Sequence, residues 1–218
     1  MDVKRILVVL PHPDDEVFPM SGTLAQLIDA GARVTYVCLT LGELGRNLGN
    51  PPFANRVTLP AVRKKELEAS CQVLGIQDLR LWGYHDKTIE FEPWAPLDAR
   101  IQAVVREVAP DQVYTFYPGY GVHPDHNACG AAVIRAVQGL PEAERPMVLC
   151  AAGFQESPGR PPDVFNDIRP VLRRKLGALH AHSSQFALLG YTKKKPEQDP
   201  AFMERVATER FWIYRFGQ

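Results

Sequence analysis

The sequence predicts an α/β protein with a Rossmann-like fold, in which a mainly parallel sheet has helices on both faces. Short apolar segments typical of strands alternate with segments of helical periodicity along most of the 218 residues, and this alternation indicates parallel strands joined by helices. The first strand segment is apolar without interruption from Ile6 to Leu10, as expected for a strand that is buried on both faces. Polar clusters follow four of the strand segments, where ligands bind in sheets of this class.

Six segments are predicted to be strands because they are short, apolar and rich in β-branched or aromatic residues. They are residues 5–10, 33–40, 79–82, 112–116, 147–152 and 210–215. The polar clusters come directly after Leu10, Thr40, Trp82 and Phe116. We therefore expect these clusters to meet at the carboxyl edge of the sheet.

Five segments are predicted to be helices, at residues 22–32, 60–74, 96–109, 124–137 and 169–179. In the first of them, Leu24, Leu27 and Ile28 recur at the spacing of one helix face. Residues 41–59 contain Gly, Asn and Pro and show no period, so they are predicted to form a loop. The short basic run at residues 193–195 is also predicted to be a solvated loop.

Length and charge limit the class of protein. Residues 1–218 are expected to form a single domain, because this length suits one α/β unit. Lys plus Arg and Asp plus Glu are each 25, so the formal net charge is zero. This balance argues against a nucleic-acid surface or an electrostatic membrane anchor, and the expected partner is a small molecule.

The apolar run at residues 6–10 is too short for a secretory signal or a membrane span, so we expect a cytoplasmic protein. The four cysteines are Cys38, Cys71, Cys129 and Cys150, and no two of them form a Cys-x-x-Cys pair. We expect reduced, buried thiols rather than disulfides or a cysteine metal site.

The first polar cluster, residues 11–16, combines one imidazole with three carboxylates. His12 and Asp15 are three residues apart, so their side chains lie on one side if a helix begins here. Imidazole plus carboxylate suits zinc with coordination positions open to water. The alternative is a helix N-terminus rich in acids, which the helix dipole favours, but that alternative does not explain His12 at the end of a buried strand.

The second cluster, residues 123–126, also opens a predicted helix after a strand. Its alternative interpretation is a loop with surface histidines. Two similar turns on the same sheet edge favour a metal site, and His12, Asp15 and His126 supply the three protein ligands that a catalytic zinc ion needs. Iron or another divalent ion would accept the same ligands.

Three further polar residues of these turns are candidates for catalysis. A carboxylate such as Asp14 can deprotonate water, and an imidazole such as His123 can stabilise an oxyanion and protonate a leaving amine. Asp125 is expected to orient a histidine through its second ring nitrogen. Spacing alone does not assign the roles of the two histidines in the second turn.

Pro-His-Pro-Asp-Asp-Glu at residues 11–16 and His-Pro-Asp-His at residues 123–126 resemble the metal motifs of the LmbE-like, or PIG-L-type, N-acetylglucosaminyl deacetylases. The resemblance implies a zinc-dependent hydrolase with His12, Asp15 and His126 as ligands. It also implies that Asp14 is the general base and that His123 stabilises the oxyanion, with Asp125 behind it.

Residues outside the two motifs extend the resemblance. Arg63, in an Arg-x-x-Glu-Leu pattern, and Asp86, after the third strand, match positions that contact substrate in the family. Tyr120 is similar to a family tyrosine near the reacting carbonyl, and Arg46 lies in a segment, residues 40–47, that resembles one branch in particular. That branch hydrolyses N-acetylglucosaminyl malate in bacillithiol biosynthesis.

These outer positions have simpler interpretations as well. In these interpretations, Arg63 only pairs with Glu66 on the same helix face, Asp86 only caps a loop, and Tyr120 only packs in a turn. Glu43 is either a supporting residue of the site or purely structural. Residues 181–185 resemble a late family motif without a role that the sequence assigns.

Two other functions are considered. An amidase that acts on a thiol conjugate, or on another N-acetylglucosaminyl compound, would keep the same site, and members of the family often form homo-oligomers. A nucleotide-binding module would need a glycine-rich turn after the first strand, but acids at residues 14–16 occupy that turn. A Ser-His-Asp hydrolase is disfavoured because the chain has no Gly-x-Ser-x-Gly elbow.

Overall fold

A computed structural model describes residues 4–152, 158–186 and 199–217. Its sheet contains β1 (Arg5–Leu10), β2 (Arg33–Cys38), β3 (Asp78–Leu81), β4 (Gln112–Phe116), β5 (Met147–Ala151), β6 (Val164–Asp167) and β7 (Thr208–Ile213). The strand order is β3-β2-β1-β4-β5-β7-β6. The first five strands pair in parallel, whereas β7 pairs antiparallel with β5 and β6. The predicted fold class is confirmed.

The helices are α1 (Val17–Asp29), α2 (Leu59–Leu74), α3 (Trp94–Val108), α4 (Pro124–Gln138), α5 (Leu172–Ala181), α6 (Ser183–Phe186) and α7 (Pro200–Val206). Short 3₁₀ turns lie at Ile89–Phe91, Glu142–Glu144 and Arg169–Val171. One core packs α1, α2 and α5 on the sheet, and a second core packs α3 and α4 on the opposite face. Successive side chains of β1 from Ile6 to Leu10 enter the two cores alternately, which explains why the strand has no polar residue after Arg5.

Helix α1 begins at Val17, ahead of the predicted start at Gly22. Pro19 does not prevent this because a residue in the first helical turn has no intrahelical partner for its backbone N–H. The remaining predicted helices and strands are present, with ends that differ by a few residues, as fraying ends usually do.

A buried ion pair stabilises the start of α1. Lys175 Nζ lies 2.6 Å from a carboxylate oxygen of Glu209 and donates to the backbone oxygen of Phe18 at 2.6 Å. Glu209 also accepts from the backbone N–H groups of Gly22, at 2.9 Å, and Thr23, at 2.7 Å. The pair therefore supplies partners to backbone groups on both sides of the proline.

Three elements were not predicted. Strand β6 has four residues, and its side chains alternate between half-buried and exposed, so it carries little hydrophobic pattern. Helix α7 has seven residues and depends on a cap, since Asp199 Oδ1 accepts from the backbone N–H groups of Ala201 and Phe202. Helix α6 is a single turn, too short for a periodic signal.

The predicted loop is confirmed, because residues 39–58 contain no helix or strand. The four cysteines are buried and free, as expected. The basic run at 193–195 lies outside the described residues. Among the helices that the structure describes, none has the length and apolar character needed to cross a bilayer.

Candidate active site

The turn between β1 and α1 and the turn between β4 and α4 meet at the carboxyl edge of the sheet, where the sequence placed them. A carboxylate oxygen of Asp15 lies 3.3 Å from Nδ1 of His12, and the other lies 3.0 Å from Nε2 of His126. One ligand atom from each of the three residues lies within 4.8 Å of the other two. The structure thus brings together all three predicted ligands.

The chemistry of this set fits a divalent metal ion. No Lys or Arg side chain of the described residues forms an ion pair with Asp15, whose carboxylate faces two imidazoles. Burial alone would raise the pKa of the Asp15 carboxyl, but His126 and His12 lower it well below its usual range. Two imidazoles and one carboxylate around an open position form a ligand set that suits zinc, and a metal ion replaces the protons that such imidazoles otherwise carry.

Helix α4 holds His126 close to the sheet. The His126 ring stacks on Phe116 with centroids 4.0 Å apart and planes 1° apart. One turn later in α4, a Cβ atom on Gly130 would lie 2.3 Å from the backbone oxygen of Phe116. Only glycine allows this close approach of helix to strand, so the separation of His126 from Asp15 depends on it.

Asp125 contacts the ring of His12. Its Oδ2 lies 3.0 Å from Nε2 of His12 and accepts from the backbone N–H of Lys87 at 2.7 Å, while Oδ1 accepts from that of Ile89 at 3.2 Å. The family resemblance implied a position behind His123, and the structure differs. His123 is the N-cap of α4, so its Nδ1 accepts from the backbone N–H of Asp125, and the carboxylate points to the other ring.

Asp86 also faces His12, with Oδ1 3.1 Å from Nε2. Its other oxygen accepts from the backbone N–H of Leu44 at 2.9 Å. Glu43 supports this arrangement, because its carboxylate accepts from the backbone N–H of Asp86 at 2.9 Å and lies 3.3 Å from the ring of His85. Glu43 is therefore a supporting residue of the site, a point that the sequence left open.

Asp14 has an unusual backbone and a cationic neighbour. Its φ is +92°, a value rare for residues other than glycine. Oδ2 of Asp14 lies 3.0 Å from a guanidinium nitrogen of Arg63. Burial raises the pKa of Asp14 to about 6, against the opposing effect of Arg63. Asp14 is thus a carboxylate above that pH.

The sequence matches the PIG-L family, described as GlcNAc-PI de-N-acetylase, over residues 7–137. The chain belongs to the PIG-L family. It is 48% identical over 217 residues to the probable N-acetyl-alpha-D-glucosaminyl L-malate deacetylase 2 of Bacillus cereus, covering 98% of this chain and 99% of that protein. The protein of the same name from Bacillus subtilis is 42% identical, with coverage of 98% and 99%.

Solved structures share the fold of this chain. The N,N'-diacetylchitobiose deacetylase of Pyrococcus horikoshii, complexed with its inhibitor, aligns with a TM-score of 0.76 and 27% identity over 98% of this chain and 84% of that chain. A protein from Thermus thermophilus aligns with a TM-score of 0.71 at 23% identity, over 96% of this chain and 94% of that one. The resemblance that the two motifs indicated is confirmed.

Arg63 is buried against the turn at residues 13 and 14. It is 4% exposed, and its guanidinium donates to the backbone oxygens of Gly42, at 2.9 Å, and Pro13. It does not pair with Glu66, which instead accepts hydrogen bonds from residues 183 and 184. Arg63 fixes the turn that carries Asp14, and direct contact with substrate stays a prediction.

The other two outer residues lie in loops, Tyr120 between β4 and α4 and Arg46 within residues 39–58. Tyr120 packs edge-on against Tyr117, with centroids 5.4 Å apart, which agrees with the simpler interpretation of a packed turn. Arg46 is exposed, two residues beyond Leu44 in the loop that contacts Asp86. Their contacts with substrate remain predictions.

Neither Glu16 nor the segment at residues 181–185 has a role that the sequence assigns, yet the two are in contact in the structure. Nε2 of His182 lies 2.8 Å from Oε1 of Glu16, and both side chains are fully buried. The sequence does single out both residues, because Glu16 belongs to the motif at residues 11–16 and His182 to the segment at residues 181–185 that resembles a late family motif. The pairing itself spans 166 residues, a separation at which spacing carries no information.

Proposed function

We propose that the protein is a zinc-dependent hydrolase that removes the N-acetyl group of N-acetylglucosaminyl L-malate. The observation that carries the proposal is the convergence of His12, Asp15 and His126, whose ligand atoms lie within 4.8 Å of one another, with Asp14 fixed beside them by Arg63. Membership of the PIG-L family and relatives of 42% to 48% identity over almost the whole chain support it.

His12, Asp15 and His126 would hold the metal ion. When bound, a divalent ion supplies a Lewis acid that polarises the acetyl carbonyl and lowers the pKa of water. Asp125 and Asp86 contact the opposite ring nitrogen of His12. Such contacts orient a ligating imidazole and raise its basicity.

Asp14 would be the general base. Its carboxylate takes a proton from the attacking water as the oxygen of that water forms a bond to the acetyl carbon. The salt bridge with Arg63 and the fixed backbone of residues 13 and 14 limit the orientations of this carboxylate. A fixed base raises the rate because no orientation has to be selected during the reaction.

His123 would stabilise the oxyanion that develops on the carbonyl oxygen. Because Nδ1 accepts from the backbone N–H of Asp125, Nε2 is the nitrogen left to donate. Burial, with the neighbouring His12 ring, lowers the pKa of His123, so the neutral donor form prevails at pH 7. Collapse then breaks the C–N bond, and the leaving amine takes the proton that Asp14 removed from the water, which restores the Asp14 carboxylate as acetate leaves.

The proposed substrate comes from the relatives. The Bacillus proteins carry the malate compound in their names, and the segment at residues 40–47 resembles the bacillithiol-biosynthesis branch. A Thermococcus kodakarensis diacetylchitobiose deacetylase is 32% identical over 85% of this chain, so an acetylated chitobiose is the main competing substrate.

We also propose one domain for residues 1–218, because early and late strands share a sheet.

The test is hydrolysis by purified protein of N-acetylglucosaminyl malate, of diacetylchitobiose and of a thiol conjugate whose acyl group is on the sugar nitrogen. Acetate release measures the first two, and release of the free sugar amine measures all three. We expect the malate compound to give the highest kcat/KM, loss of activity with a chelator, and recovery with added zinc. Activity that a chelator leaves unchanged would overturn the metal mechanism. Preference for either competing substrate would overturn the substrate assignment alone.

A further inference from the structure

We propose that His182 is a positioning residue for the catalytic turn, which it fixes through the carboxylate of Glu16. The inference rests on the proposed function only for its kinetic consequence. Its structural basis is a buried hydrogen-bond network behind the turn at residues 12–16. Within the described residues, this network forms no hydrogen bond with the side chain of a predicted metal ligand.

The contact between His182 and Glu16 is the centre of this network. Nε2 of His182 and Oε1 of Glu16 are 2.8 Å apart, and neither side chain is exposed. Nδ1 of His182 has no hydrogen-bond partner within the described ranges. Glu16 is thus the single polar partner of this ring in the part of the chain that the structure describes.

Glu16 needs such a partner because a buried carboxylate is costly without compensation. Ser70 Oγ donates to the same oxygen at 2.6 Å, and the hydroxyl of Tyr36 lies 3.3 Å from the other oxygen. That hydroxyl is also 3.5 Å from the backbone oxygen of His12. The network therefore reaches the backbone of the first metal ligand as well as Glu16.

The position of Glu16 in the chain allows this network to restrict the backbone of the catalytic turn. Glu16 follows Asp14 and Asp15 directly and is the residue before α1, yet its side chain does not cap that helix. It points instead toward α2 and the junction between α5 and α6. A residue fixed at this point restricts the backbone dihedral angles available to the two preceding aspartates.

Helix α2 shows that the network and the catalytic turn share one support. Arg63, Glu66 and Ser70 are spaced at three and four residues and so lie on one helix face. Arg63 binds Asp14, Ser70 binds Glu16, and Glu66 accepts from the backbone and side chain of Ser184. The segment that carries His182 is therefore anchored to the same helix face as the general base.

A purely structural role for His182 would lower stability and leave the chemistry intact, so the test separates the two. His182→Leu removes the donor, whereas His182→Gln places an amide nitrogen where Nε2 lies and keeps it. Val34→Ala is the matched control, since it opens a cavity at the amino end of β2, on the edge opposite the site. The readouts are Tm, zinc affinity by chelator competition, kcat and KM.

We expect His182→Leu to lower kcat and zinc affinity by ~10–100-fold, the usual effect of losing a supporting contact behind a metal site. KM for the acetylated sugar should change little, because His182 is buried away from the substrate. His182→Gln should restore most of both quantities. Val34→Ala should lower Tm to an extent similar to His182→Leu without changing kcat or zinc affinity.

Several outcomes would overturn the inference. One is a His182→Leu variant with wild-type kcat and zinc affinity, and another is a His182→Gln variant as impaired as His182→Leu. If His182→Leu does not fold, Ser70→Ala, which removes the second donor to the same oxygen, is measured instead with the same expectation. A wild-type protein that releases no acetate defeats the proposed function, while zinc affinity still tests the positioning role.

Discussion

Two buried ionic clusters of this molecule differ in how their charges are compensated. In the first, Lys175 and Glu209 have side chains 3% and 1% exposed and lie 2.6 Å apart. The backbone oxygen of Phe18 and the backbone N–H groups of Gly22 and Thr23 complete their hydrogen bonds. The described residues thus supply both charges and their partners, and this cluster needs nothing from outside the chain.

The cluster at the carboxyl edge lacks that balance. Asp15, Asp86 and Asp125 face imidazole rings, which carry a compensating charge only when protonated. The ion pair of Arg63 is with a fourth carboxylate, that of Asp14. The comparison teaches that several buried carboxylates converging on shared histidines, without a lysine or arginine partner, indicate a cation bound from solution. A buried carboxylate paired with lysine indicates internal stabilisation.

The largest expected effect concerns Asp14, the carboxylate of the site assigned to proton transfer. Asp14→Asn should lower kcat by ~10²–10⁴-fold, the contribution typical of a general base. Bound zinc should be retained, because Asp14 contacts Arg63 rather than the ligand cluster. Steady-state acetate release and elemental analysis measure the two quantities.

The control for this variant is Asp78→Asn, which changes a carboxylate paired with Arg80 on β3 and should leave kcat as in wild type. Loss of zinc from Asp14→Asn would mean that Asp14 is a ligand.

A second prediction concerns the internally balanced cluster. Glu209→Ala leaves the Lys175 ammonium buried without its counter-ion, so the free energy of unfolding should fall by ~3–5 kcal/mol. Urea denaturation of the zinc-saturated protein measures it. The double variant Lys175→Met with Glu209→Ala should lose less free energy of unfolding than the sum of the losses of the two single variants. Strict additivity of the two changes would show that the pair is not coupled.

A third prediction separates the two clusters by their response to metal. Zinc at about 100 times its Kd should stabilise the wild type by ~2.7 kcal/mol, seen as a rise in Tm. Asp15→Asn should abolish this rise because it removes one of three ligands. Glu209→Gln should keep the rise while starting from a lower Tm. An equal zinc-induced shift in Asp15→Asn would place the metal elsewhere.

The smallest expected effect is at Arg46, which is exposed. If Arg46 contacts a malate carboxylate, Arg46→Gln should raise KM by roughly two- to fivefold, since an exposed ion pair contributes ~0.2–1 kcal/mol. The kcat should not change, and neither should KM for an acetylated sugar without the carboxylates. Similar shifts in KM for both substrates would argue against a specific contact.

Much of the site was readable from the sequence because its signals are local. The rule that ligands bind beyond the carboxyl ends of parallel strands placed the two motifs on one edge. His12 and Asp15 do meet, as their spacing of three residues predicted, but across a turn rather than on a helix, since α1 begins at Val17. Neither inference required knowledge of how distant segments pack.

What the sequence did not reveal depends on long-range contacts. The partner of Asp125 is His12, which lies 113 residues away, and it follows from the capping geometry of α4 rather than from spacing. Arg63 reaches Pro13 across 50 residues, and Lys175 reaches Phe18 across 157. Such pairs are set by the packing of helices on the sheet, which residue type and periodicity do not specify.

Because Gly130 has no side chain, it bears on the metal selectivity expected of the proposed site. Because β4 and α4 approach each other closely at this residue, His126 is held at a fixed depth against Phe116. Any larger residue at position 130 would push the helix outward and lengthen the gap that an ion must span between Asp15 and His126. In the proposed metal site, discrimination among ions of different radius would therefore depend in part on a residue that coordinates none of them.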